Sequence, residues 1–453
     1  MHRFTRFFLI LIVISGTMVC AQNRVVGYYP NWVSDSMPVD ELDFSILSHV
    51  NHAFAWPTAV GVVQSYLGMF DVDLNVTIHE NGGYILLSFG GWGNSDGFGP
   101  MTSDADTRQT FIDNVIQTCQ YYEYDGVDFD WEHPQNSVET DNYTLLIQEL
   151  RAAVDTTFDN FLITMAIPAT HWSAQHYDLT ALQASIDWFN AMTYDYHGTW
   201  STHAGHNAPL YQSPVNDPDG SCHFSMNYLL NNRDVNPTKL NLGLSFYGKE
   251  FGASVINGNS TGGNITYQYN EIVGLLDQGW TYQWDEVASA AYLQNPEMTR
   301  LITYDDPQSI EEKSEYAASR GLGGVMIWAL GQDYISGQAE LLEVLRPYAL
   351  STDEDNESLI SDSYQVISNY PNPFNPGTTI KYTLSEQSDV TLIIYDVIGK
   401  EIQNLVSRSQ SQGNYQVSWN GTNYAGQTVE AGMYFAMLQG GEHLSVLKMV
   451  YLR

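Results

Sequence analysis

Eight short apolar, strand-like segments recur along the first three quarters of this 453-residue chain. Longer polar segments with helical spacing and capping residues, such as Asp104–Tyr121 and Asp141–Asp155, separate them. Alternation of strands and helices predicts right-handed crossovers and a parallel sheet. Eight repeats predict an α/β fold, a (β/α)8 barrel of the TIM type, in which functional residues collect at the carboxyl ends of the strands. The eight segments begin at Val25, His49, Tyr84, Tyr124, Phe161, Trp188, Leu240 and Gly323.

About 75 residues separate the seventh segment from the eighth, which is too many for one crossover. They include NITYQYNEI, GWTYQWDE and TRLITYDD, whose polar and apolar residues alternate as in strands. We therefore predict a small α+β insertion domain at about residues 248–320, beside the mouth of a barrel that spans residues 22–350.

The two ends of the chain differ from the barrel in composition. Residues 1–21 have a basic start and the apolar run FFLILIVISG, with Val19 and Ala21 placed for cleavage after Ala21, which predicts a secretory signal peptide. Residues 351–365 are polar and acidic, as in a linker. Residues 366–453 predict a β-sandwich, because strand-like segments alternate there with Gly, Asn and Ser turns. These segments are TTIKYTL, DVTLIIYDV, NYQVSWNG, GMYFAML and VLKMVYL.

The charge and the cysteines exclude several classes of function. Acidic residues outnumber basic ones by 52 to 17, and the formal net charge of −35 would repel nucleic acids and anionic membranes but not a neutral polymer. After cleavage of the leader only Cys119 and Cys222 remain, too few for a disulfide framework or a cysteine metal site. We predict no metal and no cofactor. Aromatic residues make up 13% of the chain and fit core packing better than sugar stacking on composition alone.

The segment Asp125–Glu132, with the sequence DGVDFDWE, carries the chemistry. Side chains alternate along a strand, so Asp128, Asp130 and Glu132 share one face, with Glu132 nearest the carboxyl end. Three buried carboxylates would repel one another unless they share protons, and sharing would keep Glu132 protonated near neutral pH, as a general acid requires. A solvated acidic face or a calcium site is the competing interpretation. It fits less well, because the alternate residues Val127, Phe129 and Trp131 need burial.

This motif matches DGxDxDxE, the signature of glycoside hydrolase family 18, the chitinases, which the chain resembles from about Val25 to Ala349. Further matches are SFGGW at Ser88–Trp92, MAIP at Met165–Pro168, MTYD at Met192–Asp195, and ITYDDPQSIEEKSEYA followed by GLGGVMIWALGQD. The insertion resembles the chitinase insertion domain. The resemblance implies a (β/α)8 chitinase that acts on chitin or chitooligosaccharides.

The resemblance also implies a substrate-assisted retaining mechanism, an exception to the usual pair of enzyme carboxylates. Glu132 would protonate the glycosidic oxygen, and the substrate's N-acetyl carbonyl oxygen would attack to form an oxazolinium ion. Asp130 would stabilise that ion while Asp128 shares its proton. The remaining implied contacts are Tyr28 and Ser88 with Asp128, Tyr194 with the acetamido oxygen, Asp195 and Met192 in the same subsite, and Gly91 within the SFGGW motif.

Four tryptophans and one histidine complete the implied substrate site. Trp328 would lie under the distorted sugar, and Trp32, Trp92 and Trp200 match positions that stack on neighbouring sugars. His133 stands where the family usually has tyrosine. It would either bind substrate and alter the pH profile or lie as a neutral histidine at the rim.

The tail, from NYPNPFNP at Asn369–Pro376 to the terminal KMVYLR, is similar to the C-terminal sorting domains of type IX secretion, which are Ig-like sandwiches. That similarity implies secretion machinery as a partner and a secreted or cell-surface enzyme. A carbohydrate-binding module is the alternative.

Two other functions compete with the chitinase prediction. A non-catalytic chitin-binding lectin could use the same barrel, but such proteins usually lack the glutamate that this chain keeps at Glu132. An endo-β-N-acetylglucosaminidase that acts on N-glycans is the other candidate, and the insertion, by deepening the groove, favours a linear chain instead. We expect a monomer. Endo or exo action, processivity and pH optimum do not follow from the sequence.

Overall fold

The computed structural model describes most of the chain after the predicted leader. The described residues are 24–34, 36–213, 220–261, 265–349, 367–370, 374–384, 387–396, 400–411, 413–424, 426–440 and 443–452. The predicted signal peptide (1–21) and linker (351–365) lie outside these ranges. The chain divides into two compact units, Met1–Leu350 and Ser351–Arg453.

The first unit is a closed barrel of eight parallel strands, as predicted. Each strand pairs with its sequence neighbours, and β1 pairs with both β2 and β8, which closes the sheet. Short hydrophobic runs bounded by turns suit strands that are buried on both faces. The strands are β1 (Arg24–Pro30), β2 (His49–Pro57), β3 (Tyr84–Gly90), β4 (Gly126–Asp130), β5 (Leu162–Pro168), β6 (Trp188–Met192), β7 (Leu240–Ser245) and β8 (Gly324–Trp328).

Helices connect the strands, and polar side chains cap the two long ones. Asp104 accepts hydrogen bonds from the first turn of Ala105–Tyr122, and Asn136 accepts one from the first turn of Ser137–Val154. The second helix therefore starts four residues before its predicted start, at the Asn136 cap. The barrel unit's other α-helices are Val72–Glu80, Phe98–Thr102, His171–Ala174, Leu179–Leu182, Cys222–Asn227, Tyr269–Leu276, Pro307–Ser319 and Glu340–Val344. Within the described ranges, none of the helices is long and apolar enough to cross a membrane.

Both remaining cysteines lie buried in the barrel unit. Cys119 is on the helix Ala105–Tyr122 and Cys222 begins the helix Cys222–Asn227. Their thiols are free, so no disulfide joins them.

The insertion after β7 is a five-stranded antiparallel sheet with one helix, which confirms the predicted α+β addition. NITYQYNEI is only partly a strand, because Gln268 and Glu271 form a capping box that starts the helix Tyr269–Leu276. In sheet order the strands are Thr266–Gln268, Tyr247–Phe251, Leu301–Tyr304, Ala290–Gln294 and Thr281–Asp285.

A buried ion pair lies where the insertion returns to the barrel. Lys313, on the helix Pro307–Ser319, contacts Asp305, and both side chains are at most 1% exposed. Asp305 also accepts a hydrogen bond of 2.9 Å from the hydroxyl of Ser245, the last residue of β7. The pair therefore connects the end of the insertion to a barrel strand.

The second unit contains a three-stranded and a four-stranded antiparallel sheet, as expected for an Ig-like sandwich. One apolar core draws on both sheets, with Ile380 and Trp419 from the first and Leu392 and Leu438 from the second. The strands are Ile367–Tyr370, Thr378–Leu384 and Gly413–Trp419 in one sheet, and Ser388–Asp396, Glu401–Gln410, Gly432–Gly440 and His443–Tyr451 in the other. The strands Ile367–Tyr370 and Glu401–Gln410 were missing from the sequence prediction.

Candidate active site

Strand β4 and the two residues after it place three carboxyl groups in a row that becomes less buried toward the carboxyl end. Asp128 is 0% exposed and Asp130 is 5% exposed, while the side chain of Glu132 is 17% exposed. The alternate residues Val127, Phe129 and Trp131 are buried in the core on the other face. The row therefore runs from the barrel interior to the rim, as the alternation of side chains along a strand requires.

Asp128 is held by donors from four neighbouring strands. Its Oδ2 accepts hydrogen bonds from the hydroxyls of Tyr28 (2.7 Å) and Ser88 (2.8 Å). Its Oδ1 accepts from the hydroxyl of Thr164 (2.5 Å) and from Nδ2 of Asn190 (3.3 Å). The pKa of Asp128 is raised above its ordinary value, because the effect of burial exceeds the opposing effect of these four hydrogen bonds. Asp128 is thus a fixed acceptor at the base of the row.

Asp130 has few partners of its own. Its pKa is raised well above the ordinary value, first by burial and then by the charges of Glu132 and Asp128. Its Oδ1 is buried and makes no hydrogen bond to any described residue. An unpaired buried oxygen is costly, so this atom is suited to a hydrogen bond with a bound ligand.

Glu132 has the protonation behaviour of a general acid. Burial, followed by the charge of Asp195, raises its pKa to about 7. A carboxyl group with this pKa is protonated about half of the time at neutral pH, which is the condition for efficient proton transfer in both directions. Its backbone N–H donates to the hydroxyl of Ser95 at 3.0 Å, which fixes the backbone at the rim.

His133 lies beside Glu132 as a neutral, largely buried ring. Its Nε2 is 3.8 Å from Oε2 of Glu132, and its Nδ1 is 3.3 Å from the hydroxyl of Tyr177. Burial lowers the pKa of His133 to about 4. The ring is therefore uncharged where Glu132 titrates.

The insertion contributes two residues to the site that the sequence prediction did not include. Asp195, in a left-handed conformation (φ 59°), accepts a hydrogen bond from Tyr247 at 2.6 Å and pairs with Lys249 at 2.5 Å. The Lys249 ammonium also lies 4.8 Å from the ring centre of Trp200. Since both new residues belong to the strand Tyr247–Phe251, the insertion sheet directly contacts the active-site carboxylate of Asp195.

An aromatic cleft of about 220 Å³ opens above Asp130 and Glu132. Trp92 and Trp32 stand out into solvent at 83% and 54% exposure, while Trp328 stacks on Phe54 with ring centres 5.6 Å apart. Exposed rings next to buried acids suit the apolar faces of sugars. The other lining residues are Tyr28, Tyr66, Asn94, Ala166, Met192, Tyr194, Asp195 and Tyr247.

Some predicted site residues lie near this cleft without lining it. Ser88 lies beneath it as a partner of Asp128, and Trp200 is 61% exposed outside it. Gly91 has no room for a side chain, because φ is 80° and a Cβ would lie 2.5 Å from the ring of Phe54. Among the described residues, no group of three or more His, Cys, Asp and Glu side chains could hold a metal ion.

The chain is similar to chitinases and to a chitinase-like agglutinin. Chitinase A1 of Niallia circulans is 27% identical over 394 residues, which cover 68% of this chain and 56% of that protein. This chain thus spans just over half of that relative's length. A group IV chitinase of Ostrinia furnacalis, solved in complex with allosamidin, is 27% identical with a TM-score of 0.67, covering 72% of this chain and 98% of that chain. A chitinase-like agglutinin of Robinia pseudoacacia is 28% identical with a TM-score of 0.64, covering 71% and 98%.

Two family matches divide the chain as the structure does. Residues 374–440 match the FlgD Ig-like domain. Residues 24–333, which contain the whole barrel, the insertion and the row of carboxyl groups, match glycosyl hydrolases family 18. The chain therefore belongs to family 18 of the glycosyl hydrolases.

Proposed function

We propose that this protein hydrolyses the β-1,4 linkages of chitin and its N-acetylglucosamine oligomers, with Glu132 as the proton donor. One observation carries the proposal: a half-protonated glutamate, with a pKa of about 7, lies next to a buried aspartate whose Oδ1 lacks a partner among the described residues. Both line a cleft with exposed tryptophans. The similarity to chitinases supports chitin as the substrate.

The first chemical step breaks the bond between C1 and the glycosidic oxygen. Glu132 transfers its proton to that oxygen, so the leaving sugar departs as a neutral alcohol. The carbonyl oxygen of the substrate's own 2-acetamido group forms a new bond to C1 and gives a cyclic oxazolinium ion. Water then forms a bond to C1 while the bond from C1 to the acetamido oxygen breaks, which restores the acetamido group. The water loses a proton to Glu132, so the acid is restored and the product has retained configuration.

The state of the other carboxyl groups supports a nucleophile from the substrate. The pKa of Asp130 is raised well above its ordinary value by burial, which disfavours the ionised, nucleophilic form. Asp195 is held by Tyr247 and by the Lys249 ammonium. The free Oδ1 of Asp130 accepts the acetamido N–H. Tyr194, whose hydroxyl lies 3.8 Å from the sulfur of Met326, donates to the acetamido oxygen.

The experiment compares wild type with Glu132→Gln on N-acetylglucosamine oligomers and on the matching N-deacetylated oligomers. We expect wild type to cleave only the acetylated series and the variant to lose at least about a thousandfold in kcat, since an amide cannot donate the proton. Cleavage of both series at similar rates would contradict the substrate-assisted step. Full activity of the variant would contradict the role of Glu132.

Two alternatives are tested by the same oligomers together with a glycoprotein substrate. The likeness to an agglutinin means that the fold alone does not separate enzyme from lectin. The intact Glu132 with its raised pKa favours the enzyme. Binding of oligomers without cleavage by wild type would point to a lectin, and release of glycans from a glycoprotein in preference to chitin oligomers would point to an endo-β-N-acetylglucosaminidase.

We further propose that residues 366–453 direct export and that the enzyme works outside the cell or at its surface. The FlgD-like Ig match supports an Ig-like domain, and the NYPNPFNP segment at Asn369–Pro376 supports a sorting role. Deletion of residues 369–453 is expected to leave the enzyme in the periplasm. The check is fractionation of cells followed by chitinase assay, and normal export of the truncated protein would contradict the proposal.

A further inference from the structure

A line of hydrogen bonds runs through the barrel interior from its amino-terminal end to Asp128. The guanidinium of Arg24, the first residue of β1, donates to Oδ1 of Asn241 at 3.1 Å. Nδ2 of Asn241 donates to Oδ1 of Asn190 at 2.9 Å, and Nδ2 of Asn190 donates to Oδ1 of Asp128 at 3.3 Å. Both asparagines are fully buried. We call these four residues the interior relay.

The cation sets the direction of every bond in the interior relay. A guanidinium has no acceptor, so Asn241 must present its oxygen to Arg24 and its amino group to Asn190. Asn190 must then accept with its oxygen and donate with its amino group. Each amide is thereby oriented with its donor toward Asp128, although the positive charge itself stays at the end of the barrel.

We propose that Arg24 is a positioning residue for the catalytic carboxyl groups, favouring the ionised form of Asp128 through Asn241 and Asn190. The inference rests on the proposed hydrolysis by Glu132 and deepens it. With Asp128 carrying the negative charge, the proton of the row stays on Asp130. A neutral Asp130 can accept the acetamido N–H through its free Oδ1 without repelling the charge that the first step leaves on Glu132.

The groups around the interior relay keep their charge state in the working pH range. The tyrosines that sense the charge of Asp128 have pKa values raised well above the ordinary value by burial; they are Tyr28, Tyr143 and Tyr194. Arg24 remains a cation with a pKa of about 10; it lies over the ring of Trp188 and interacts with Asp187. His49, near Arg24, has its pKa lowered to about 3. Between about pH 5 and 8 the carboxyl groups of the row are the groups here that change charge, and Asp187 pairs with Arg151.

The test changes the hydrogen bonds that Asn241 makes within the interior relay while keeping the volume of its side chain. Asn241→Asp still accepts from Arg24 but cannot donate to Asn190, and Asn241→Leu removes both bonds. The matched control is Asn51→Leu, because Asn51 on β2 is also fully buried and its amide has no partner among the described residues. The full-length protein is assayed on N-acetylglucosamine oligomers across pH, with thermal unfolding measured in parallel.

Either Asn241 variant removes the hydrogen bond that orients the amide of Asn190, so its donation to Asp128 weakens and the pKa of that carboxyl is expected to rise. The acidic limb of kcat is therefore expected to move up by about one pH unit in both Asn241 variants, which corresponds to a tenfold change in the ionisation equilibrium. KM stays within about twofold of wild type, and Asn51→Leu keeps the wild-type limb. Arg24→Lys, which retains a cationic donor, is expected to keep the limb, whereas Arg24→Gln shifts it.

Two results would overturn the inference. One is an acidic limb in the folded Asn241 variants that coincides with that of wild type, and the other is an equal shift in Asn51→Leu, which would indicate a general effect of core polarity. A carbon-13 NMR titration of the Asp128 carboxyl in substrate-free protein provides the same comparison without activity. If wild type does not cleave the oligomers, the proposed hydrolysis is wrong. The titration still decides whether the interior relay controls the pKa of Asp128.

Discussion

Asp195→Asn tests whether neighbouring charge, and not burial alone, holds Glu132 protonated. The pKa of Glu132 is about 7, raised by burial first and by Asp195 second. At that pKa the protonated fraction is about 0.9 at pH 6 and about 0.1 at pH 8. Removing a nearby like charge lowers a carboxyl pKa by about one unit. The cation of Lys249, left unpaired, acts in the same direction.

The basic limb of kcat for Asp195→Asn is therefore expected about one pH unit below that of wild type. At pH 7 the protonated fraction of Glu132 falls from about a half to about a tenth. The assay is the pH profile of kcat on saturating oligomer, and the position of the limb is compared instead of its height, because Asp195 also lines the substrate cleft. Asp155→Asn, an exposed carboxylate at a helix end, is the control. A limb that stays in place or moves up would refute the reasoning.

Three further predictions concern stability and substrate binding. Lys313→Met leaves a buried carboxylate unpaired and is expected to lower the free energy of unfolding by about 3–5 kcal/mol in a denaturant titration. Trp32→Ala is expected to weaken the binding of long oligomers about tenfold by calorimetry, a loss of about 1.4 kcal/mol, and unchanged affinity would place the ring outside the substrate path. Gly90→Ala is expected to lower the free energy of unfolding by at least about 2 kcal/mol, because φ is +115° and a Cβ would lie 2.2 Å from a backbone carbonyl oxygen. The control Gly274→Ala, which has open space in a helix, is expected not to lower it.

The barrel could be predicted because its strands are encoded locally. Each strand is a short hydrophobic run bounded by turns or helix caps, and eight such runs in one chain leave few alternatives. The row of carboxyl groups could equally be predicted, since alternation along one strand places Asp128, Asp130 and Glu132 on one face. Elements without such local signatures were predicted less well. The helix Tyr269–Leu276 begins inside a segment whose alternation resembles a strand, and the capping box at Gln268 overrides that pattern.

The partners of the carboxyl groups were harder to predict, because they depend on register between strands that are distant in sequence. Thr164 and Asn190 donate to Asp128 across 36 and 62 residues. The sequence signal at these two residues is that each is polar and lies inside an otherwise apolar run. The same pattern holds for Asn51 and Asn241. Lys249 has no such sequence signal, because its pairing with Asp195 depends on how the insertion sheet packs near the end of β6.

One reaction tests the substrate-assisted mechanism most directly, by the anomer that forms first and by the dependence of kcat/KM on the substrate's acetamido group. Oligomers are prepared in which the 2-acetamido group at the cleaved linkage carries zero, one, two or three fluorine atoms, and kcat/KM is measured while NMR follows the first-formed anomer. Fluorine withdraws electron density from the carbonyl oxygen, so an attack by that oxygen predicts a steep fall in kcat/KM along the series, with the β-anomer formed first. A flat series, or an α-anomer formed first, would contradict the role assigned to the substrate, to Asp130 and to Glu132.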